Sequence, residues 1–407
     1  MYYVARGSIP RQRHTQHRAP DGSLYAEELF GVEGFTGRSS LLYHLVPPTR
    51  THRIEPVGPV ALEEADDGSH HHRLIDSAPL EPHGDVITGR VPLFFNNDVV
   101  MGVVRPDEPM GETLFYRNGA ADEMLFVHEG SGLLDTVFGP IRYHAGDYLV
   151  LPIGTTWRLV PDEGVEQRML WLECPSELES PKRYRNWYGQ LLEHAPYSQR
   201  DIRVPEAAEP RADEGEFRVH VKMRDRITAY HYRHHPFDVV GWDGYLWPFA
   251  FDIADLQPIT GRVHQPPPVH QTFQGRNFVV CSFVPRKFDY HPLAIPAPYN
   301  HSNINSDEVI YYVAGNFMSR RGVGISSFTL HPAGIPHGPH PGTAEASIGK
   351  EATGELAVMV DTFHPLKITR QAADLEDDRY PYSWLPAEDA PGEARELADR
   401  GAEAFPD

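Results

Sequence analysis

The chain contains many short apolar or alternating stretches that are separated by glycine and proline. One group comprises "VPLFFNNDVVMGVV", "EMLFVHEGSGLLDTVFG", "GDYLVLPIGTTWRLV" and "RMLWLE". A second group comprises "NFVVCSFVP", "EVIYYVAGNF", "ISSFTLHPAG" and "GELAVMVDTFHPLKIT". Stretches of this length and period are typical of antiparallel strands in a sandwich or barrel. The pattern therefore predicts a fold dominated by β-structure, with a few short helices and long loops.

The two groups of strands also predict the domain organisation. We expect an N-terminal barrel over residues 1–175, a linking and partly helical segment over 176–240, and a C-terminal catalytic barrel over 241–386. The end of the sequence, 387–407, is acidic and poor in core-forming residues, which predicts a tail. A length of 407 residues agrees with about two domains.

An internal repeat relates the two groups. Each has a glutamate, Glu123 or Glu308, followed by six residues and then a glycine. Further along, each has Pro-x-Gly-x-x followed by an aromatic or imidazole residue, Trp157 in "PIGTTW" and His337 in "PAGIPH". This pair of half-motifs resembles the cupin signature, which implies two jelly-roll β-barrels.

The two copies differ at the positions that could hold a metal ion. The second has His301, Glu308 and His337, whereas the first has Tyr116 and Trp157 where the second has histidines. Because tyrosine and tryptophan cannot supply a neutral imidazole, the first barrel is expected to be metal-free and structural. Two imidazoles and one carboxylate leave open positions on a metal, the arrangement that suits non-haem Fe(II) and O2 chemistry.

Other interpretations of these residues compete with a metal site. A single loop histidine commonly bonds to backbone, and a strand glutamate is commonly solvated. Asp307 is the rival carboxylate, although Glu308 keeps the six-residue step to the glycine.

The run "GSHHHR" is expected to be a solvated loop, and the arginines of "SRRGVG" are expected to form surface ion pairs, with contact to a substrate carboxylate as the alternative.

Composition narrows the classes of function. The formal net charge of −20 makes nucleic acid or an anionic membrane surface an unfavourable partner. The chain has two cysteines, Cys174 and Cys281, which argues against a disulfide scaffold and agrees with a reducing cytoplasm. The basic N-terminus lacks the apolar region of a secretory signal, and no run of 18 apolar residues predicts a membrane span.

Several segments resemble the homogentisate 1,2-dioxygenase family, from about residue 20 to 386. They are "LYAEELFGVEGFTGRSSLLYHLVPP", "PFDVVGWDGYLWPFAFDI", "PYNHSNINSDE", "HPAGIPHGP" and "RYPYSWLP". The resemblance implies an Fe(II)-dependent enzyme that opens the ring of homogentisate with O2 to give 4-maleylacetoacetate, in tyrosine and phenylalanine catabolism. It also implies a homo-oligomer, a trimer or hexamer.

The resemblance assigns roles to matching positions. His301, Glu308 and His337 would bind Fe(II), and His264 in "VHQPPPVHQTF" would be the acid/base residue. A neutral imidazole near pH 7 is suited to removing a phenolic proton. His270, in the same stretch, is expected to be structural.

The resemblance also assigns the substrate contacts and exposes two departures. His331 matches a substrate-pocket histidine, and His337 would contact substrate as well as metal. Phe317 replaces a substrate-contacting tyrosine, which removes one hydrogen bond. The chain also has one extra residue between His301 and its carboxylate, which a bulge would absorb.

These departures leave the substrate open between homogentisate and a related ring acid such as gentisate, hydroquinone or a substituted homogentisate. Gentisate-cleaving two-cupin proteins usually carry a His-x-His pair, whereas this chain has His301 and Asn303 at that spacing, which favours homogentisate. The alternative outside catalysis is a two-cupin storage or sugar-binding protein, which would not need a matched His264.

Overall fold

The computed structural model describes residues 2–395, apart from 67, 298, 316, 318, 319, 321, 387 and 393. Within this part, the chain is mostly β-sheet with two short α-helices, so the predicted fold class is confirmed. No helix in the described part is long and apolar enough to cross a membrane. The predicted acidic tail falls largely on residues outside the description.

The strands in chain order are β1 (Val4–Gly7), β2 (Ala26–Gly31), β3 (Ser39–His44), β4 (Arg53–Pro59), β5 (Arg73–Asp76), β6 (Arg90–Phe95), β7 (Val100–Val104), β8 (Leu114–Asn118), β9 (Asp122–Glu129), β10 (Ser131–Thr136), β11 (Ile141–His144), β12 (Asp147–Leu151), β13 (Thr156–Pro161), β14 (Arg168–Cys174), β15 (Ile202–Arg203), β16 (Glu214–Met223), β17 (Arg226–His234), β18 (Val239–Gly244), β19 (Phe249–Asp252), β20 (Gln271–Gly275), β21 (Phe278–Phe283), β22 (Arg286–Lys287), β23 (Asp307–Ala314), β24 (Ser327–His331), β25 (Ala352–Thr353), β26 (Leu356–Thr362) and β27 (Lys367–Ile368). The α-helices are α1 (Thr343–Ser347) and α2 (Arg370–Asp374), and 3-10 helices span Lys182–Tyr184, Gln199–Asp201, Ile253–Asp255, Pro267–His270 and Tyr380–Tyr382.

The chain divides into two compact units. Unit one comprises Met1–Leu62, Pro82–Arg90 and Val104–Asp252, and unit two comprises Glu63–Glu81, Val91–Val103 and Ile253–Asp407. This division differs from the expected boundaries at 175 and 241. Two segments from the N-terminal half belong to unit two, one of them because β5 pairs with β24.

Unit one is built mainly from antiparallel strand neighbours. One sheet has the order β1-β18-β3-β2, and another has the order β11-β10-β13-β8-β16-β17-β4, in which β8 and β16 are parallel. A further run of neighbours is β15-β19-β12-β9-β14. The inward strands β9, β12 and β14 are buried along nearly their whole length, because they are continuous apolar stretches.

The expectation of a helical linker at 176–240 is wrong for its second half. After two 3-10 helices of three residues each, the segment forms the long hairpin of β16 and β17. The reason is visible in "EFRVHVKM", where Phe217, Val219 and Val221 alternate with polar residues. That period of two is the period of a strand rather than of a helix.

Unit two contains a six-stranded antiparallel sheet with the order β20-β21-β26-β23-β24-β5. Strand β23 lies between β24 and β26, and the pairing with β24 places Glu308 opposite His331. The central strands are buried and mostly apolar, and their close packing holds the polar side chains of the sheet in fixed positions.

The internal repeat is visible in the backbone of both units. In unit one, Trp157 pairs with Tyr116, and in unit two His301 and His337 form the corresponding isolated bridge. The bridge consists of two backbone hydrogen bonds, 2.7 Å from His301 N to His337 O and 2.9 Å in the opposite direction. The repeat that the sequence predicts therefore has the same strand pairing in each barrel.

Candidate metal centre

Two imidazoles and one carboxylate converge in unit two. His301 Nε2 lies 3.8 Å from one oxygen of Glu308, and His337 Nε2 lies 3.6 Å from the other. One potential ligand atom from each of the three residues lies within 4.8 Å of the others. The structure thus brings together the three residues that the sequence predicts as metal ligands.

The local backbone explains this convergence. Strand β23 carries Glu308, and the two-bond bridge holds His301 and His337 side by side, with their ring centroids 4.2 Å apart. The turn that precedes His337 contains Gly334 at a φ of 79°, a conformation that favours glycine. The chain between His301 and β23 is a turn, so the extra residue there needs no bulge.

The two rival carboxylates have different surroundings. Asp307 accepts backbone hydrogen bonds from Ala333 N at 2.7 Å and Leu366 N at 2.6 Å. Glu308, one position later in the strand, projects to the opposite face and reaches the histidines. Asp307 thus fastens two loops, and Glu308 is the carboxylate of the cluster.

A second layer of hydrogen bonds fixes the orientation of Glu308. The Nδ1–H of His331 donates to Glu308 at 2.8 Å, and the hydroxyl of Tyr380 donates to His331 Nε2 at 3.0 Å. Burial, opposed by the bond to Glu308, lowers the pKa of His331 to about 3, so this ring is neutral. The ring also stacks on His337 at 4.5 Å between centroids.

Charge and unsatisfied atoms test whether a metal fits. Burial opposes ionisation of Glu308, but contacts with His301, His331 and His337 outweigh it and hold its pKa well below the usual value. Among the described residues, the buried atoms His301 Nδ1 and His337 Nε2 have no hydrogen-bond partner. An ionised carboxylate beside unpartnered imidazole nitrogens is the donor set that a divalent transition metal requires.

A cavity of about 220 Å³ opens beside this cluster. His301 and Glu308 form part of its wall, together with the predicted acid/base residue His264 and with Phe317. His331 and His337, both buried, are not among the lining residues. His331 contacts the carboxylate of Glu308, and its expected contact with substrate stays a prediction.

His264 belongs to a hydrogen-bonded triad at the cavity wall. Its Nδ1 lies 2.9 Å from Asp289 Oδ2, and its Nε2 lies 3.2 Å from the hydroxyl of Tyr299. A carboxylate at Nδ1 holds the proton there, so that Nε2 is the basic nitrogen. Tyr299 in turn packs edge-on against His301, with 5.9 Å between centroids.

The opposite part of the wall is apolar. Phe317 packs its ring against Tyr312 at 4.4 Å, in a cluster with Ile310, Met359 and Cys281. Phe317 thus contributes apolar surface to this part of the cavity wall.

Two sequence-based expectations are wrong. Arg320, expected in a surface ion pair, has a side chain only 8% exposed; it lines the cavity, donates to Gly338 O at 2.8 Å and lies 3.9 Å from Glu308. His72, expected in a solvated loop, is buried and packs edge-on against His331 and His337. Arg321 lies outside the described residues.

Sequence reasoning also missed Asp289, Tyr299 and Tyr380. The signal for Tyr299 was its place two residues before His301, on the same side of an extended chain. Asp289 had none, because it is distant in sequence from His264. Tyr380 lies in the resembling segment "RYPYSWLP", but nothing in that segment indicates its contact with His331.

The matching position in unit one is built differently. Arg90 donates to Glu123 at 2.6 Å, and its guanidinium lies 5.3 Å from the ring centroid of Tyr116. Asn118 also donates to Glu123, at 3.2 Å. A fixed internal cation therefore stands beside the glutamate that matches Glu308.

The fold and this cluster define the class: a protein with two cupin barrels and, in the second, a candidate centre for a metal with open positions. The family model for the homogentisate 1,2-dioxygenase N-terminal region matches residues 3–253, more than half of the chain. The chain belongs to the homogentisate 1,2-dioxygenase family and is an oxidoreductase of the dioxygenase type. The matched region corresponds to most of unit one and does not include the cluster.

Individual relatives cover nearly the whole chain. A protein of Saccharolobus solfataricus named "Putative dioxygenase" is 43% identical over 387 residues, which is 94% of this chain and 99% of the relative. Homogentisate 1,2-dioxygenase of Emericella nidulans is 22% identical over 93% of this chain and 91% of its own length. Among solved structures, a cupin 2 conserved barrel domain protein from Leptotrichia buccalis matches at a TM-score of 0.31 and 9% identity, covering 75% of this chain and 100% of that chain.

Proposed function

We propose that the chain is an Fe(II)-dependent dioxygenase that converts homogentisate and O2 to 4-maleylacetoacetate. The observation that carries the proposal is that candidate metal ligands and a hydrogen-bonded histidine line the same cavity. His301 and Glu308 of the candidate metal cluster form one part of the wall, and His264, Asp289 and Tyr299 form another. A storage or sugar-binding protein has no need for an oriented base next to a metal centre.

The cluster would hold the iron through His301, Glu308 and His337. Fe(II) held there would offer open coordination positions for a phenolic substrate and for O2, so that electrons of the substrate ring could reach O2. The neighbouring residues keep the donor set in place: His331 donates to Glu308, and Tyr380 donates to His331. Hydrogen bonds to a metal-ligating residue typically strengthen metal binding.

His264 would take the proton of the substrate hydroxyl. Asp289 holds the Nδ1 proton, so the lone pair of Nε2 is available where the Tyr299 hydroxyl now donates to it. The substrate hydroxyl would replace that donor, transfer its proton to Nε2, and become the more electron-rich phenolate. Asp289 then stabilises the resulting imidazolium.

The second candidate is cleavage of a related hydroquinone-type acid, and Phe317 favours it. The side chain lacks the hydroxyl of the family tyrosine, so one hydrogen bond that would select homogentisate is absent. A substrate with a different polar substituent would lose less from this change.

Oxygen uptake tests both candidates. The protein is loaded anaerobically with Fe(II) and then given air-saturated buffer with homogentisate, gentisate or hydroquinone. The proposal expects one O2 consumed per homogentisate and the highest kcat/KM for that substrate. Preference for another of the three rings establishes the second candidate, and absence of uptake with all three contradicts both.

A further inference from the structure

One section of the cavity wall has no part in the chemistry described so far. It comprises His270, Phe283, Arg286 and Glu355. His270 packs against Phe283 with 5.1 Å between ring centroids, and the guanidinium carbon of Arg286 lies 5.4 Å from the centroid of the same ring. These side chains thus form one contiguous group.

His270 is a buried polar residue with an unused atom. Its exposed fraction is 5%, and among the described residues its Nδ1 has no hydrogen-bond partner. Burial, together with the charge of Arg286, lowers the pKa of His270 to about 3, so the ring is neutral and carries one N–H donor. An unpartnered donor or acceptor in a buried wall costs free energy unless a ligand satisfies it.

Arg286 brings a fixed positive charge to the same group. It donates to Glu355 at 2.7 Å and to Val284 O at 3.2 Å. A guanidinium has five N–H donors, more than these two contacts use. The remaining N–H donors of Arg286 could therefore bind a ligand carboxylate, a group that matches the planar fork of a guanidinium.

The strand register relates this group to the metal cluster. Ile310, Met359, Cys281 and Gln271 lie in one row across β23, β26, β21 and β20, and His270 directly precedes Gln271. Three strand spacings correspond to about 14 Å between the backbones of β23 and β20. Ile310 and Met359 line the cavity between them, and they offer an apolar floor for one substituted benzene ring.

We infer that His270 and Arg286 form a second subsite of the active site, which binds the carboxylate arm of an aromatic acid whose ring hydroxyl lies at the metal cluster. This inference rests on the proposed function for the identity of the ring. It makes His270 a specificity-determining residue rather than the structural histidine expected from sequence.

Arg320 is the other buried cation of the wall, and its contacts give it a different role. It donates to Gly338 O and lies 3.9 Å from Glu308, so its charge faces the metal-side carboxylate. A substrate carboxylate placed at Arg320 would leave the buried Nδ1 of His270 without a partner among the described residues.

Binding measurements on the full-length Fe(II)-loaded protein under argon test the inference. The ligands are homogentisate, 2-methylhydroquinone, which has the same ring with a methyl group in place of the arm, and phenylacetate, which has the arm and no hydroxyl. His270→Phe is expected to weaken homogentisate and phenylacetate by about tenfold to a hundredfold, the effect of a lost hydrogen bond to a charged group. Affinity for 2-methylhydroquinone is expected to stay within about twofold, because that ligand makes no use of the subsite.

Two variants control for changes in the fold. His270→Gln keeps an N–H donor and is expected to restore most of the affinity for homogentisate. His364→Phe replaces an exposed histidine that pairs with Asp98 outside the cavity wall, and it should change no affinity. Equal losses for all three ligands, or unchanged binding of the two acids, would overturn the inference.

Phenylacetate separates the subsite from the proposed reaction. If wild-type protein fails to oxidise homogentisate yet binds phenylacetate in a manner that depends on His270, the subsite stands and the proposed function fails. If wild-type protein oxidises homogentisate but does not bind phenylacetate, the subsite is wrong and the proposed function stands.

Discussion

At the scale of residues, the site depends on which polar atoms are already committed to partners. Asp307 and Glu308 are neighbours of the same chemical kind, but both oxygens of Asp307 accept backbone N–H groups. Glu308 instead lies near His301 and His337, each of which has one buried ring nitrogen without a hydrogen-bond partner among the described residues. The contrast assigns one carboxylate to holding loops and the other to the proposed metal.

The two carboxylates are expected to respond differently to amide substitution. Glu308→Gln should abolish stoichiometric Fe(II) binding, because an amide is a much weaker ligand than a carboxylate. Asp307→Asn should keep the iron and lower the free energy of unfolding by about 1–3 kcal/mol, because a donor amide now faces buried N–H groups. Iron per chain and urea unfolding measure the two effects, and iron loss in the Asp307 variant alone would reverse the assignment.

The proposed base is tested by its own removal. His264→Ala is expected to keep one iron per chain and to reduce kcat by roughly 10²–10⁴-fold, the usual contribution of a positioned base. Asp289→Asn should reduce kcat less, because it disturbs the tautomer and leaves the imidazole in place. Wild-type turnover by an iron-containing His264→Ala protein would remove this residue from the mechanism.

At the scale of elements, the turn after strand β23 requires a glycine. Strand β23 is followed by Gly315 at a φ of 86°, and a Cβ at that position would lie 2.4 Å from Gly354 O. Gly349 has the same φ, but nothing lies within 4 Å of its Cβ position. Substitution of Gly349 therefore measures the cost of the backbone conformation alone, and substitution of Gly315 adds the cost of a steric contact.

Alanine substitution at these glycines measures that separation. Gly349→Ala should cost about 1 kcal/mol from the left-handed backbone alone. Gly315→Ala should cost roughly 1–3 kcal/mol more, because a methyl group must be forced against a carbonyl oxygen. Equal midpoints of urea unfolding for the two variants would show that the turn after β23 relaxes freely.

The features that were predicted correctly from the sequence are those that depend on a local hydrophobic period or on a repeated spacing of residues. The β-rich fold follows from short alternating stretches, and the His301, Glu308 and His337 set follows from the repeat with Glu123. The remainder depends on contacts between distant segments. Nothing local distinguishes a buried Arg320 from a surface arginine, and the hairpin of β16 and β17 was missed although its alternation was present.

At the scale of the whole molecule, the formal net charge of −20 coexists with buried positive groups. In unit one, His44 bonds to Asp238 at 2.7 Å and to Glu28 at 2.9 Å. Burial alone would lower the pKa of His44, but these two carboxylates outweigh it and raise the pKa to about 9. The folded unit therefore holds a proton that the unfolded chain releases more readily.

That proton makes stability depend on pH. Because the pKa of His44 is higher in the folded state than the 6.5 of the free side chain, its stabilisation is fully present below about pH 6.5 and is lost as the pH rises through 9. The free energy of unfolding should decline over this window by on the order of 3 kcal/mol relative to His44→Gln. Urea unfolding of both proteins at several pH values measures the difference, and parallel curves would contradict the assignment.

The central claim is that this two-barrel protein inserts both atoms of O2 into an aromatic ring, and isotope labelling tests it most directly. The Fe(II)-loaded protein is mixed with homogentisate under ¹⁸O2, and the product is analysed by mass spectrometry. The account predicts 4-maleylacetoacetate labelled in the oxygens added to the ring, with a parallel reaction in H2¹⁸O to measure how much of the ketone oxygen exchanges with water. An unlabelled product, or unchanged homogentisate, would contradict it.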